Sequence, residues 1–311
     1  MKKTILITGG GGFIGRNLIL ALQKKNKIIC LDKKVSSEVK KVFNRNVKII
    51  ENAVENNSAL ERALKASDLA VHLAGGGGNQ ASLVNPEWAV ETHILGTYLL
   101  LEKCLKHKIN KFIFASSCFV YGSEKKKKNP VLENSLLEPD TFYGILKRTA
   151  EEIIKNSGIN YTIFRFANIY GDFYPLALPD KGVIYRFIKA GIEDNPIEIF
   201  GSGGQLINYV SIKDVVSGIL LAMDSKLKSN IYNLGSEKLI SIKELAKLVG
   251  QTFYEDFQRK VKIKRIPAAA DRVSFNPLMS TEKIKKNLGW RQKARLEKEI
   301  KNLILNFADQ N

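Results

Sequence analysis

The chain has 311 residues but only three cysteines, three histidines, three methionines and two tryptophans. Cys30, Cys104 and Cys118 are widely spaced, odd in number and form no Cys-x-x-Cys. That excludes a disulfide framework and a cysteine metal site, and it fits a reducing compartment. His72, His93 and His107 share no ligand spacing, so no metal centre is expected. No apolar run approaches the ~20 residues that a membrane helix needs. The opening MKKTILITGG places two lysines before apolar residues, as a signal peptide would, but glycines break the run after about five positions, too few for an apolar targeting segment. A cytoplasmic location is therefore expected. Acidic residues are also short, 31 against 49 lysines and arginines, for a net charge of +18.

Such a charge raises the question of nucleic acid. The lysines, however, are spread along the whole chain, and the one dense run, EKKKKNP at 124–130, ends at a proline and has the character of a solvated loop. No specific nucleic-acid binding is expected. A basic surface also attracts phosphorylated metabolites, which agrees better with the motifs below.

Strands and helices alternate through the first 170 residues. Short runs rich in β-branched residues fall at 4–8, 27–32, 47–50, 69–74, 111–116 and 161–166, with amphipathic stretches at 16–25, 58–66, 87–107 and 144–156. This alternation predicts an α/β fold, a doubly wound parallel sheet with helices on both faces. Beyond residue 170 prolines and glycines multiply, and helices are expected again at 182–191, 212–223, 241–252 and 295–307.

The first strand runs into TGGGGFIG and then a helix. Glycine is needed in such a turn because the turn is tight, the backbone must approach a pyrophosphate, and the helix must lie close on the strand. The helix start then offers free N–H groups to the anion. The second strand ends in Asp32, placed to accept hydrogen bonds from an adenosine ribose. A dinucleotide site follows, with Gly9, Gly12, Phe13, Ile14 and Gly15 under the phosphates and Asp32 and Lys33 beside the ribose. The Asp32 charge opposes a 2′-phosphate and favours NAD. Lys33, Lys34 and Arg16 leave NADP open. A second glycine run, LAGGGGNQ at 73–80, follows the fourth strand with no helix starting at once. It is expected to be a loop passing under the cofactor through Leu73, Ala74 and Gly75.

Tyr-x-x-x-Lys occurs four times, at 121/125, 143/147, 185/189 and 209/213. Tyr121/Lys125 runs into the lysine loop, where no helix holds it. Tyr209/Lys213 lies at a strand end, where four residues separate side chains by about 13 Å. Tyr185/Lys189 is helical but lacks polar company. Tyr143/Lys147 opens a helix, which puts both on one face, and Ser117 ends a preceding strand. Those three types suit proton transfer. The serine holds an alcohol or carbonyl oxygen. The tyrosine takes or gives the proton. An ammonium and an oxidised nicotinamide would draw the phenol's pKa down from its usual value near ~10.

With these residues in view, the chain resembles the extended short-chain dehydrogenases/reductases, in their nucleotide-sugar epimerase and dehydratase group. TGGGGFIG is similar to that family's TGxxGFIG, HLAG (72–75) to HLAA, SSCFVYG (116–122) to SSSxxVYG, YGILK to YxxSK, and RFANIYG (165–171) to RxxNVYG. IFGSGGQLINYVSIKDV (199–215) resembles IYGxGxQxRDFVYVxDV, and NLGW (287–290) closes the series. The resemblance implies a Rossmann domain over 1–170, rejoined by later segments, and a smaller substrate-binding domain formed mainly by 171–311. It implies NAD(P), a nucleoside-diphosphate sugar, and a homodimer built on a four-helix bundle from 87–107 and 144–156. It makes Ser117, Tyr143 and Lys147 catalytic and has Asn168 touch the sugar-nucleotide diphosphate.

Several positions depart from the pattern. The Arg-Asp before the FVYV strand is Ile207–Asn208, so a diphosphate-clamping arginine is missing, with Arg272 or Arg265 as replacements. The acidic residue near the adenine is Asn52, and the asparagine of NVxGT is His93. Where dehydratases carry Asp-Glu, the chain has Cys118–Phe119, which disfavours loss of water and glutamate-assisted decarboxylation. The resulting expectation is a nucleotide-sugar 4-epimerase working through a transient 4-keto sugar. The alternatives are a keto- or deoxy-sugar reductase or dehydrogenase, and a cofactor-binding regulator without catalysis.

Overall fold

A computed structural model describes residues 3–122, 130–172, 182–267 and 277–308. Twelve strands follow in chain order: β1 Thr4–Thr8, β2 Lys27–Asp32, β3 Val47–Glu51, β4 Leu69–His72, β5 Phe112–Ser117, β6 Tyr161–Phe166, β7 Asn168–Tyr170, β8 Ile197–Phe200, β9 Leu206–Ser211, β10 Asn230–Leu234, β11 Leu239–Ser241 and β12 Ile263–Ile266. Seven form one parallel sheet in the order β10-β6-β5-β4-β1-β2-β3. The strand order reverses at β1, which has β2 on one side and β4 on the other, and the crevice beyond such a point is where α/β sheets bind ligands.

Both faces of this sheet are covered, which is why its strands read as near-continuous apolar runs. All six residues of β5 and all four of β4 are buried. Ile5 and Ile7 of β1 turn towards one core, with Leu18 and Ile19 of helix Phe13–Leu22 and Val215 and Ile219 of helix Ile212–Asp224. Leu6 turns the other way, towards Leu60, Leu100 and Ile154. A third core joins Tyr170, Phe187, Ile197, Leu245, Phe253 and Ile304, beside a β11-β9-β7 sheet and a β12-β8 pair.

Helix Phe142–Lys155 positions the site. Thr141 caps it, its Oγ1 accepting the Gly144 N–H at 3.1 Å, so Tyr143 falls in the first turn and Lys147 one turn later. The C-terminal NLGW segment is tied back by Trp290, whose Nε1–H donates to the Asp214 carbonyl at 3.0 Å, and by the Asp214 carboxylate, which accepts from the Lys293 and Ala294 amides.

Two local features differ from expectation. The glycine run after β4 does lead into a helix, Gly78–Val84, within which the Ser82 hydroxyl donates to the Gly78 carbonyl at 3.0 Å. The long helix expected over 87–107 is broken in mid-course by a π turn, Glu91–Leu95. The lysine run, Lys125 included, lies outside the described residues.

Candidate active site

A cleft of about 830 Å³ lies across the carboxyl ends of β1, β2, β4, β5 and β6. At its glycine-rich end the backbone turns from β1 into helix Phe13–Leu22. A side chain at Gly15 would lie 2.2 Å from the Gly9 carbonyl oxygen, so only glycine lets the helix approach this closely. The helix has no side-chain N-cap, and its first-turn amides remain open to an anion. Gly9, Gly12, Phe13, Ile14 and Gly15 all line the cleft.

Asp32 stands at the tip of β2. One carboxylate oxygen accepts the Gly11 N–H at 2.9 Å and the other the Lys34 N–H at 3.3 Å. Burial pushes this carboxyl up, and the backbone donors pull against that. Lys33 and Asn52 line the same end, and Asn52 accepts from the Ala53 amide. Arg16 does not line the cleft. It is buried with its guanidinium 5.4 Å from the Phe13 ring centre, so it is not the cation facing a 2′-phosphate. Leu73, Ala74 and Gly75 form the wall beyond β4.

At the other end Ser117, Tyr143 and Lys147 converge. Ser117 ends β5, and its Oγ accepts the Phe119 amide at 3.3 Å and is in hydrogen-bond contact with the Tyr143 phenol. Lys147 is buried. Its Nζ donates to the Ala115 carbonyl at 2.9 Å and lies 4.8 Å from the Phe114 ring centre and 5.7 Å from that of Tyr143. Burial lowers the Lys147 pKa to about 7, with Glu151 opposing. Burial pushes the Tyr143 phenol up, Cys118 adds to this, and the Ser117 hydrogen bond opposes it. The protein's own groups therefore leave the phenol above its usual value, burial being the largest influence.

The other three tyrosines have structural partners instead. The Tyr121 hydroxyl donates to Asn233 Oδ1 at 2.6 Å and accepts from Arg165 at 3.0 Å. The Tyr185 hydroxyl bonds both backbone groups of Gly171. Tyr209 packs edge-on against Tyr170, and its sequence partner Lys213 pairs with Glu299 at 2.9 Å.

Asn168 lines the cleft, its Nδ2 donating to the Asn208 carbonyl at 3.2 Å. Ile207 is buried and Asn208 holds both backbone groups of Ser236, so neither reaches for a diphosphate. Arg265 sits on exposed β12 and does not line the cleft, and Arg272 lies outside the described residues.

Sequence reasoning missed two pieces. Glu55 and Thr92 line the adenosine end and bond each other at 2.6 Å, across 37 positions of chain and with no local signature. Glu151 and Arg165 form a buried pair under the lysine. The spacing of Glu151, four residues after Lys147 on one helix, was a usable signal.

Residues 5–235 match the NAD dependent epimerase/dehydratase family. The chain belongs to that family. Within it, the chain is 33% identical over 269 residues to a UDP-N-acetyl-alpha-D-glucosaminuronate decarboxylase of Bacillus cytotoxicus, covering 81% of this chain and 80% of the relative. It is 29% identical to a UDP-glucuronate 4-epimerase of Thermodesulfobacterium geofontis, covering 95% and 98%. Among solved structures, the UDP-glucose 4-epimerase of Thermotoga maritima, determined with UDP-glucose, superposes with a TM-score of 0.85 at 30% identity over 99% of both chains. Family members thus act on nucleotide sugars with NAD, by more than one reaction. The glycine turn, the open helix start and the Asp32 carboxylate fit that dinucleotide. Among the described residues no helix is long and apolar enough to cross a membrane.

Proposed function

We propose that the protein is a nucleotide-sugar 4-epimerase. The observation that carries this reading is the convergence of Ser117, Tyr143 and Lys147 at one end of the cleft, with Cys118 and Phe119, rather than two carboxylates, beside them. Ser117 holds the sugar's reacting oxygen. Tyr143 removes the proton from that hydroxyl and later returns it. Lys147 tunes the phenol and holds the cofactor's ribose. Gly9, Gly12, Gly15 and Asp32 would hold NAD, whose chemistry there would be reversible hydride transfer at the sugar's reacting carbon. The Asp32 carboxylate favours NAD over NADP.

Elimination of water needs an acid and a base to act on the neighbouring sugar carbons. A neutral thiol, its pKa pushed up to about 12 by burial, and a phenyl ring do not supply them. This supports epimerisation over the dehydratase and decarboxylase chemistries found elsewhere in the family. Asn168 would touch the diphosphate.

The same reading makes the protein a cytoplasmic homodimer. Leu95 and Tyr98 are 45% and 54% exposed on the helical run through Gly96–Lys106, and Ile145 is 48% exposed on the adjoining Phe142–Lys155. A second copy covering these side chains would complete a four-helix bundle.

The test is incubation with UDP-, dTDP-, GDP- and CDP-sugars. Interconversion of two sugars without net absorbance change at 340 nm supports the epimerase. Stoichiometric consumption of reduced cofactor means a reductase instead. Cofactor binding with no reaction of any sugar nucleotide would leave a regulator.

A further inference from the structure

His93 does not share in the roles proposed above, yet four independent features converge on it. It sits in the π turn Glu91–Leu95, and such one-turn distortions of an α-helix cluster at functional sites. Its ring meets Tyr143 edge-on, with centroids 5.5 Å apart and planes at 74°, while Phe119 meets Tyr143 at 6.0 Å and 77°. The phenol ring is thus gripped by two aromatic neighbours. His93 is 1% exposed, and its Nε2 has no hydrogen-bond partner among the described residues. An unmade bond on a buried polar nitrogen costs about 1–3 kcal/mol, so its retention calls for a reason.

The fourth feature is Gly75. A Cβ there would lie 2.4 Å from His93 Cε1 and 2.6 Å from Nδ1, and Gly75 has φ +93°, a backbone that side chains resist. HLAG and HILGT each differ from the resembled HLAA and NVxGT in the residue that meets the other. A ring replaces a short amide at 93 where a methyl is lost at 75.

The backbone of the π turn is pinned separately. Thr97 Oγ1 donates to the His93 carbonyl at 2.6 Å, so towards His72 Nε2, at 3.0 Å, it acts as acceptor. His72 is then protonated at Nε2, and its Nδ1 accepts from Thr8 Oγ1 at 2.7 Å. This chain of bonds ties the π turn to the ends of β4 and β1 and makes no use of the His93 ring.

We propose that His93 is a positioning residue for Tyr143, admitted to the site by the missing side chain at Gly75. The ring fixes the plane of the phenol so that its hydroxyl stays at Ser117. Burial, with Lys147 and His72 adding to it, lowers the imidazole's pKa to about 2 and keeps it neutral beside the Tyr143 phenol. The proposal rests on Tyr143 being the proton-transfer group, but most of its test does not require a substrate.

With three histidines in the chain, ring nitrogen NMR of ¹⁵N-histidine protein is sparse, and His93→Asn assigns the signal. Tyr143→Leu, which removes the ring, should shift the His93 ring signals and leave those of His107 in place. Gly75→Ala should lower thermal stability more in the native background than in His93→Asn, where only the backbone strain remains. In turnover, His93→Asn should lose up to about tenfold in kcat, the worth of one aromatic pair, with KM and NAD affinity within about twofold. Gly75→Ala/His93→Asn should recover part of the Gly75→Ala loss. Unmoved His93 signals in Tyr143→Leu, an equal cost of Gly75→Ala in both backgrounds, or unchanged kcat in an active His93→Asn enzyme would each overturn the proposal. If no sugar nucleotide reacts, the functional reading fails, while the NMR and stability measurements still decide this one.

Discussion

Arg165 closes on Glu151 with Nη2–Oε2 and Nε–Oε1 separations of 2.7 and 3.0 Å, and neither side chain reaches solvent. Glu151 also accepts the Ser116 hydroxyl at 2.5 Å, and Arg165 reaches the Tyr121 hydroxyl and the Glu133 carbonyl. The pair fastens helix Phe142–Lys155 to β5 and β6 between Ser117 and Lys147. Both charges are desolvated, so removing one leaves the other uncompensated. Arg165→Met should cost about 3–5 kcal/mol in urea unfolding. Glu151→Gln keeps the Ser116 bond but leaves the buried guanidinium, which cannot shed its charge, without its partner, and should cost at least as much. A loss under about 1 kcal/mol for Arg165→Met would mean that the pair does not hold the site.

Lys147 links the site to pH. Its pKa stands at about 7 in the folded protein against 10.5 for an unburied lysine. The unfolded chain therefore binds more protons between those values, and this residue makes stability rise with pH across that window. Below it the ammonium persists in both states and the burial cost is present in full. Relative to Lys147→Met, the wild-type protein should gain up to about 1.4 kcal/mol per pH unit above pH 7. Paired unfolding curves at several pH values measure this. A difference that stays flat from about pH 6.5 to 9 would refute the depressed pKa.

Much of this arrangement was legible in the sequence because it is local or periodic. β1, β2 and β6 match the ranges expected from their β-branched runs, since strands buried on both faces need no alternation. Gly9 to Gly15 and Asp32 were legible because a tight turn and a strand tip leave few choices of residue. Ser117 singled out one of four Tyr-x-x-x-Lys pairs. What stayed hidden depends on tertiary placement. Glu151 and Arg165 become a pair only once a helix and a strand are packed. The π turn at Glu91–Leu95 leaves no mark on hydrophobic spacing. No helical spacing followed the glycine run at Gly78, where packing against helix Phe142–Lys155 prevails. The upward push of burial on Tyr143 was not legible, because burial cannot be weighed before the cleft is seen; the lowering expected with a bound oxidised nicotinamide is a separate influence.

Asp32 should set cofactor choice. Its carboxylate, already held by Gly11 and Lys34 amides, faces the site where an adenosine ribose would lie. Asp32→Asn keeps the shape and removes the charge. It should weaken NAD by about tenfold, the worth of a charge-assisted hydrogen bond, and leave NADP no weaker, helped by Lys33. Calorimetric titration with both cofactors checks this. An equal loss for NAD and NADP would count against a role in discrimination.

The exposed Tyr98 and Ile145 should be covered by a second copy of the chain. Ile145→Glu would place a charge in that interface, and light scattering should then show the dimer mass fall to the monomer. A wild-type protein that is monomeric at tens of micromolar would remove the four-helix bundle from the account.

Tyr143→Phe is the sharpest test of the chemistry. The phenol is the group in contact with Ser117 that can carry a proton at the end of the cleft, and the phenyl ring would retain its contacts with His93 and Phe119. Lys147, near neutrality at its pKa of about 7, sits 5.7 Å from the ring centre and is too deeply bound to the Ala115 carbonyl to replace it. Turnover should fall by at least about 10²–10⁴-fold, the range for a lost general acid–base group, with NAD affinity and unfolding midpoint little changed. Comparing epimerisation rates with cofactor titrations separates the two effects. Activity within about tenfold of wild type would move the proton to another group and end the assignment of Tyr143.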